Sequence, residues 1–267
     1  MKRRAFLAAP ALLLATRAGA SQLNLAQGGL VVGRVLPGSR LAIDGRALRI
    51  SPAGDYAFGL GRDHGESVTI TTNGREERHN VARRQWNVQA LSLPPAQVTP
   101  DAAALARNQA EREQLGRARA TDSALTSSTE SFARPAEGRI TGVFGSQRVL
   151  NGQPRQPHYG FDIAAPVGSP LLAAASGRVT LSASFFFFGD LLVIDHGHGI
   201  NTLYAHLSRR DVAEGDMVAR GQRIGATGAT GRVTGPHVHF SLSWFQVSGS
   251  AAGPGALNPC TSGRVVA

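Results

Sequence analysis

Gly235-Pro236-His237-Val238-His239-Phe240-Ser241-Leu242 is the stretch on which the reading of this 267-residue chain turns. A β-branched valine between two histidines, followed by alternating apolar residues, predicts a strand. Side chains two apart on a strand share a face, so His237 and His239 are expected to look into one cleft. Upstream stand three residues that could meet them there. They are His158 and Asp162 in Pro157-His158-Tyr159-Gly160-Phe161-Asp162-Ile163, and His206 in Leu203-Tyr204-Ala205-His206-Leu207.

The spacing of His158 and Asp162 limits how they can act together. Four apart on a helix they would share a face, but Pro157, Gly160 and Pro166 argue against a helix here. On a straight strand they would lie about 13 Å apart, too far to share an ion whose bonds are about 2 Å each. A common site therefore needs a bend between them, and Gly160 is the residue that permits one. Two imidazoles and one carboxylate, with a fourth position left to water, make the donor set of a hydrolytic zinc site. Such an ion lowers the pKa of its water and polarises the carbonyl under attack. The chain contains no His-Glu-x-x-His helix, so no glutamate stands in that metalloprotease base position. Histidines outside the ligand shell would have to handle the proton and the developing oxyanion.

Working outward, glycines punctuate short apolar runs from Pro135 onward. They predict strands over 140–144, 171–175, 178–181, 191–194, 202–207, 223–226 and 238–244. His196-Gly197-His198 is a second His-x-His pair, but its glycine-rich setting predicts a turn, where period-two alignment fails, so neither histidine is placed in the site. Asp190 and Asp195 read as turn residues. Phe185 to Phe188 reads as a strand end or hairpin packed on the core, with an aromatic wall of the substrate groove as the second reading. Between Leu30 and Leu93 short apolar runs again alternate with turn signals, Asp44-Gly45 and Asn73-Gly74 among them, which predicts a small antiparallel β-sandwich. His64 and His79 lie in polar surroundings there and read as surface residues. Pro94, Pro95 and Pro100 close that region, Asp101 can cap a helix over 102–120, and 123–131 is a Ser/Thr-rich loop. A straight helix of that length would hold two domains about 25–30 Å apart. The expected organisation is a segment 1–20, a small β domain 21–95, a helical linker 96–134 and a C-terminal domain 135–267.

Composition bounds the class. Glycine and proline are plentiful, at 32 and 14, and only 17% of residues are charged, which suits a mainly β, turn-dense protein. Residues 1–20 read as an export signal: Met1-Lys2-Arg3-Arg4, an apolar run from Ala5 to Ala15, then Ala18-Gly19-Ala20 as the cleavage site. Arg3-Arg4-Ala5-Phe6-Leu7 resembles a twin-arginine signal, and the general secretory route stays open beside it. The protein is thus expected in the periplasm or cell envelope, with no second hydrophobic span to hold it in a membrane. Loss of residues 1–20 removes Lys2, Arg3, Arg4 and Arg17 and no acidic residue, taking the formal charge from +10 to +6. No tight basic cluster with interleaved aromatics points to nucleic acid. An anionic extracellular polymer such as a cell wall fits the charge, as does an even scatter of surface arginine. The lone Cys260 excludes an intramolecular disulfide. A monomer is compatible with all of this, and nothing sets the oligomeric state.

Taken together the motifs resemble a family. His158-Tyr159-Gly160-Phe161-Asp162, Ala165-Pro166-Val167-Gly168-Ser169-Pro170, Asp195-His196-Gly197-His198-Gly199, Tyr204-Ala205-His206-Leu207, Gly221-Gln222-Arg223-Ile224-Gly225 and Thr230 to Phe240 are similar, in order and register, to the lysostaphin/LytM-type zinc metalloendopeptidases. The likeness runs from about Arg139 to Pro259. It implies that His158, Asp162 and His239 bind zinc, and that His206 and His237 flank the ion as catalytic histidines. It further implies an antiparallel β peptidase domain with an open groove, acting on peptidoglycan stem peptides. Ser241 stands where the family commonly has an acidic or amide residue, and the loop before His158 departs from the pattern, which bears on substrate preference. The alternative is a non-enzymatic envelope protein that binds cell wall or activates a wall amidase.

Overall fold

The computed structural model describes residues 25–92 and 101–245 together with 256–257 and 263–264. The expected export signal, the prolines at 94, 95 and 100, and Cys260 lie outside the described residues. In chain order the N-terminal third supplies β1 (Leu30–Arg34), β2 (Leu41–Ile43), β3 (Arg46–Ala47), β4 (Asp55–Gly59), β5 (Ser67–Thr72) and β6 (Arg75–Asn80). Asp44 and Gly45 join β2 to β3, and Asn73 and Gly74 join β5 to β6. All four have positive φ, between 47° and 88°, as tight two-residue hairpin turns demand. The exposed edge strand β6, Arg-Glu-Glu-Arg-His-Asn, carries no apolar signal and is held by its ladder to β5 alone.

One antiparallel pair, β1 with β4, and one four-stranded sheet, β3-β2-β5-β6, share a core that includes Leu41, Ile43, Phe58, Leu60, Val68 and Ile70. The same cluster takes in Ile200, Leu242 and Trp244 from the C-terminal region, so the two parts of the chain bury apolar surface against each other. Next come β7 (Val88–Leu91) and the helix α1 (Ala102–Arg119). Asp101 caps α1 by accepting the Ala104 N–H at 2.8 Å. The helix does not stand free as a spacer. Leu115 and Ala118 pack on Leu181, Phe185, Leu191, Val193, Leu203 and Ala205, which would otherwise face water, while Leu105 stays exposed.

The C-terminal region continues with β8 (Arg139–Gly142), β9 (Gln147–Leu150), β10 (Gln153–Pro154), β11 (Phe161–Ala164), β12 (Pro170–Leu172), β13 (Gly177–Phe185) and β14 (Gly189–Gly197). It ends with β15 (Ile200–Arg210), β16 (Met217–Val218), β17 (Arg223–Thr227), β18 (His237–Trp244), β19 (Ala256–Leu257) and β20 (Gly263–Arg264). The large antiparallel sheet runs β16-β13-β14-β15-β18-β11-β8, with β17 joining β12 to β15. Strand β14 reads as an unbroken apolar run, Leu191-Leu192-Val193-Ile194, because both its faces are buried. Leu191 and Val193 meet α1, while Leu192 and Ile194 meet Val179, Tyr204, Ile224, Val238 and Phe240 on the other side. Strands β13 and β15, at 9 and 11 residues, outrun their apolar cores because the ladder carries on through Ser182 and Ser184 in one and Ser208 to Arg210 in the other. Strand β11 is only four residues long, with Phe161 and Ile163 buried on one face and Asp162 carried on the other. Beside it, β7 pairs with β9 and β9 with β10 to form a small separate sheet. Among the described residues no helix is long and apolar enough to cross a membrane.

Candidate metal centre

The ladder between β11 and β18 sets Asp162 directly opposite His239, and Ala164 opposite His237. On β18 the alternation holds as expected: Val238 and Phe240 are buried beneath, while His237 and His239 are half-buried on the other face. His158 lies in the loop before β11, pinned by its backbone N–H to the Ser146 carbonyl and by its own carbonyl to the Gly145 N–H, both at 2.8 Å. Three donor atoms converge. His158 Nε2 is 3.0 Å from Asp162 Oδ1 and 3.0 Å from His239 Nδ1, and His239 Nδ1 is 2.9 Å from Asp162 Oδ1. Donor atoms about 3 Å apart are spaced so that one ion, with bonds of about 2 Å, could bind all three. The other nitrogen of His158, Nδ1, donates to the Val143 carbonyl at 3.2 Å, which turns the Nε2 lone pair toward the triangle. Two nitrogens and one carboxylate oxygen in this arrangement suit zinc, and His158, Asp162 and His239 could hold it.

Glycines make room for these side chains. Gly160 lies at the bend between His158 and Asp162 without a positive φ, so its use is not backbone freedom. A Cβ there would stand 2.5 Å from the Phe240 carbonyl oxygen and 2.7 Å from His239 Cε1. One at Gly142 would press on Asp162 and His158 together.

His206 and His237 stand beside the triangle, their rings 4.8 Å apart, with His206 6.3 Å from the His239 ring. His206 Nδ1 donates to the Thr230 carbonyl at 2.9 Å and His237 Nδ1 to the Gly235 carbonyl at 2.8 Å, which leaves Nε2 of each as the ring nitrogen available for chemistry. His237 Nε2 is 3.8 Å from Asp162 Oδ1. The backbone at His206 takes φ +66°, unusual for a residue with a side chain. Here the β14–β15 ladder slips: Ala205 and His206 together oppose the single residue Leu191, a bulge that re-aims the imidazole. The His206 N–H donates to the Phe188 carbonyl at 2.8 Å.

Electrostatics keep the groups in useful forms. Burial alone would raise the Asp162 carboxyl, but hydrogen bonds and charge from His158 and His239 outweigh it and hold it well below the usual carboxylate range. Burial pushes the His239 imidazole down to about 4, against the pull of Asp162, and pushes His206 down to about 3. A carboxylate among neutral imidazoles at neutral pH is the form a metal ion requires.

Several neighbours carry no sequence signal. Arg148 on β9 brings Nη2 to 3.4 Å from Asp162 Oδ2, from within a polar stretch that matches no motif. Phe188, at the end of the β13–β14 turn, packs against the core cluster that buries Phe185 and places its ring 6.2 Å from that of His239. Burial lowers the Arg232 guanidinium, and the charges of Arg148 and Arg155 add to the effect. His196 and His198 belong to the core: His196 bonds the Ser176 carbonyl at 2.7 Å and Thr202 Oγ1 at 2.8 Å, and His198 Nδ1 lies 2.9 Å from Ser128 Oγ. Asp195 is not a turn residue but a buried member of β14, accepting the Gly197 N–H at 3.0 Å; the turn falls at His198 and Gly199. Asp190 likewise lies within β14. His64 and His79 remain apart, near Asp44 and Glu77. Ser241 is buried opposite Leu203.

Residues 156–252 match the profile of peptidase family M23. The chain thus carries a peptidase M23 domain. The M23 region is 43% identical over 105 residues to the peptidoglycan DD-endopeptidase ShyA of Vibrio cholerae, covering 39% of this chain and 24% of that protein. It is 42% identical over 116 residues to the DD-carboxypeptidase/endopeptidase Mpg of Neisseria meningitidis, covering 43% and 26%. The chain thus spans about a quarter of the length of these curated relatives. A crystal structure of a Pseudomonas aeruginosa chain described as an M23 peptidase superposes with a TM-score of 0.64 at 25% identity, over 88% of this chain and 93% of that one. That shared fold extends beyond the M23 domain itself.

Proposed function

We propose that this M23 protein is an exported, zinc-dependent endopeptidase that hydrolyses peptide crosslinks of bacterial peptidoglycan. His158, Asp162 and His239 are its zinc ligands, and His206 and His237 its catalytic histidines. The observation that carries the reading is the triangle of donor atoms about 3 Å on a side, flanked by two more imidazoles that present Nε2. Zinc bound there supplies a water acidified toward neutral pH and polarisation of the scissile carbonyl.

The chain's own groups do the rest. His158 and His239 bind through neutral nitrogens, and Asp162 contributes the negative charge that offsets part of the cation. Arg148 touches the second Asp162 oxygen, which favours binding through Oδ1 alone. His206 and His237, each held at Nδ1 by a backbone carbonyl, can accept a proton at Nε2 and, once protonated there, steady the oxyanion of a tetrahedral intermediate. The charges of Arg148, Arg155 and Arg232 suit a substrate peptide bearing carboxylates, as stem peptides do. ShyA is named a peptidoglycan DD-endopeptidase and Mpg a DD-carboxypeptidase/endopeptidase, which favours the D-alanyl to diaminopimelate crosslink as the target here. Export follows from residues 1–20, by the twin-arginine or the general secretory route.

The test is zinc content together with product analysis on purified cell walls. One zinc per chain and shortened crosslinks, both lost in His239→Ala, are expected. A metal-free protein that leaves muropeptides unchanged would overturn the assignment.

A further inference from the structure

A carboxylate outside the M23 domain reaches the candidate centre through a short chain of hydrogen bonds. Glu111 on α1 is buried, and both its oxygens lie 2.9 Å from the backbone N of Phe186. Its charge is paired on the helix itself: Arg107, one turn earlier, donates Nε to Oε1 at 2.6 Å and Nη2 to the Ser184 carbonyl at 3.4 Å. Phe186 opens the three-residue turn between β13 and β14. At the other end of that turn the Phe188 carbonyl accepts the His206 N–H at 2.8 Å, and the Phe188 ring faces His239. The turn is thus held on one side by Glu111 and holds His206 on the other.

Conformational cost makes this arrangement more than an anchor for the helix. A left-handed backbone is strained at a residue with a Cβ, because the Cβ crowds the following carbonyl oxygen. It persists only where the surroundings over-determine it. At His206 the surroundings are two carbonyls: Phe188 receives its backbone N–H, and Thr230 receives its Nδ1–H. The segment that carries Thr230 is tied to the same turn, because the Arg232 N–H donates to the Phe187 carbonyl at 3.0 Å, and Thr230 Oγ1 accepts the N–H of Asp190 just beyond the turn, also at 3.0 Å. A turn that shifts therefore moves both carbonyls that aim the imidazole.

We propose that Glu111 is a positioning residue for His206, fixing the Phe186–Phe188 turn so that the bulged histidine keeps its left-handed backbone and its aim at the metal centre. This rests on the peptidase reading for the role of His206. The test uses the full chain loaded with zinc and compares Glu111→Ala, Glu111→Asp and Glu111→Gln. Steady-state hydrolysis of a crosslinked muropeptide, zinc content and amide hydrogen exchange over residues 184–208 are measured for each. Ala and Asp, the latter charged but one methylene too short to reach, should lower kcat about tenfold with KM and zinc content unchanged, since small misplacements of a reacting group cost that much or more. Exchange at 186–188 and at His206 should quicken in the same two variants. Gln, whose amide oxygen still accepts the Phe186 N–H, should recover to within about threefold of wild type if positioning is what matters. A wild-type kcat in the folded Ala variant, unchanged exchange at His206, or a Gln variant as impaired as Ala would overturn the proposal. Should wild type itself hydrolyse nothing, the peptidase reading fails, while the exchange measurement still decides whether Glu111 and His206 are coupled.

Discussion

Replacing Gly160 with alanine removes no ligand atom and no charge, yet it should loosen the metal. The added Cβ would lie 2.5 Å from the Phe240 carbonyl oxygen, 2.7 Å from His239 Cε1 and 2.8 Å from His239 Nε2, where ordinary contact starts at 3.4 Å. Something must give by up to about 0.9 Å. The Phe240 carbonyl belongs to the β11–β18 ladder, where Phe161 opposes Phe240, so the strand cannot retreat without breaking hydrogen bonds. The His239 ring is the part free to turn. Metal–ligand distances tolerate only about 0.2 Å, and disturbing the orientation of a ligating histidine typically costs about 10–100-fold in affinity, or about 1.4–2.8 kcal/mol. A competitive zinc titration against a chromophoric chelator reads that loss directly. Gly142→Ala, which crowds Asp162 and His158, should behave alike, and Gly65→Ala, which points into open space, should not. Thermal melts of the metal-free forms separate this effect from overpacking of about 1–3 kcal/mol. Wild-type zinc affinity in Gly160→Ala, with unaltered metal-free stability, would refute the reasoning.

Three further outcomes are expected. His206→Ala and His237→Ala should retain zinc but lose about 10²–10⁴ in kcat, the usual worth of a positioned acid or base; loss of the metal itself would instead place that histidine in the ligand set. Chelation should abolish hydrolysis and added zinc restore it, and zinc at 100 times its Kd should raise stability by about 2.7 kcal/mol; identical melts with and without zinc would contradict a bound ion. Burial pushes the His196 imidazole from 6.5 down to about 4, so between those values the unfolded chain binds a proton that the folded one refuses. Stability is therefore complete above 6.5 and falls as the pH drops toward 4, by up to about 3 kcal/mol. Urea unfolding at pH 7 and 4.5 should show a shallower pH dependence in His196→Asn than in wild type, and equal dependence in both would remove His196 as the cause.

Local rules carried the reading where the physics is local. Two histidines around Val238 share a face because strand periodicity is a property of a few consecutive residues. Asn73-Gly74 makes its turn for the same reason, and bond lengths alone demanded a bend between His158 and Asp162. Where an outcome depends on what lies across the sheet, one chain in order could not reveal it. Asp162 sits on a strand because β18, 77 residues later, pairs with it, not because Phe-Asp-Ile-Ala alternates in a telling way. Gly160 reads as backbone licence, whereas its use is space for a histidine ring brought over by that partner strand. Read alone, the helix over 102–120 would hold two domains apart, and the apolar face waiting on β13 and β14 makes it a cover. His206 is the sharpest instance: its motif is plain in the sequence, but its left-handed backbone comes from a slip between β14 and β15, and the hydrogen bonds it donates to the carbonyls of Phe188 and Thr230 maintain it. Residue types and short-range spacing determined which groups were available, and the register of distant strands decided which of them could meet, since register is set by the burial of whole faces and not by any one segment.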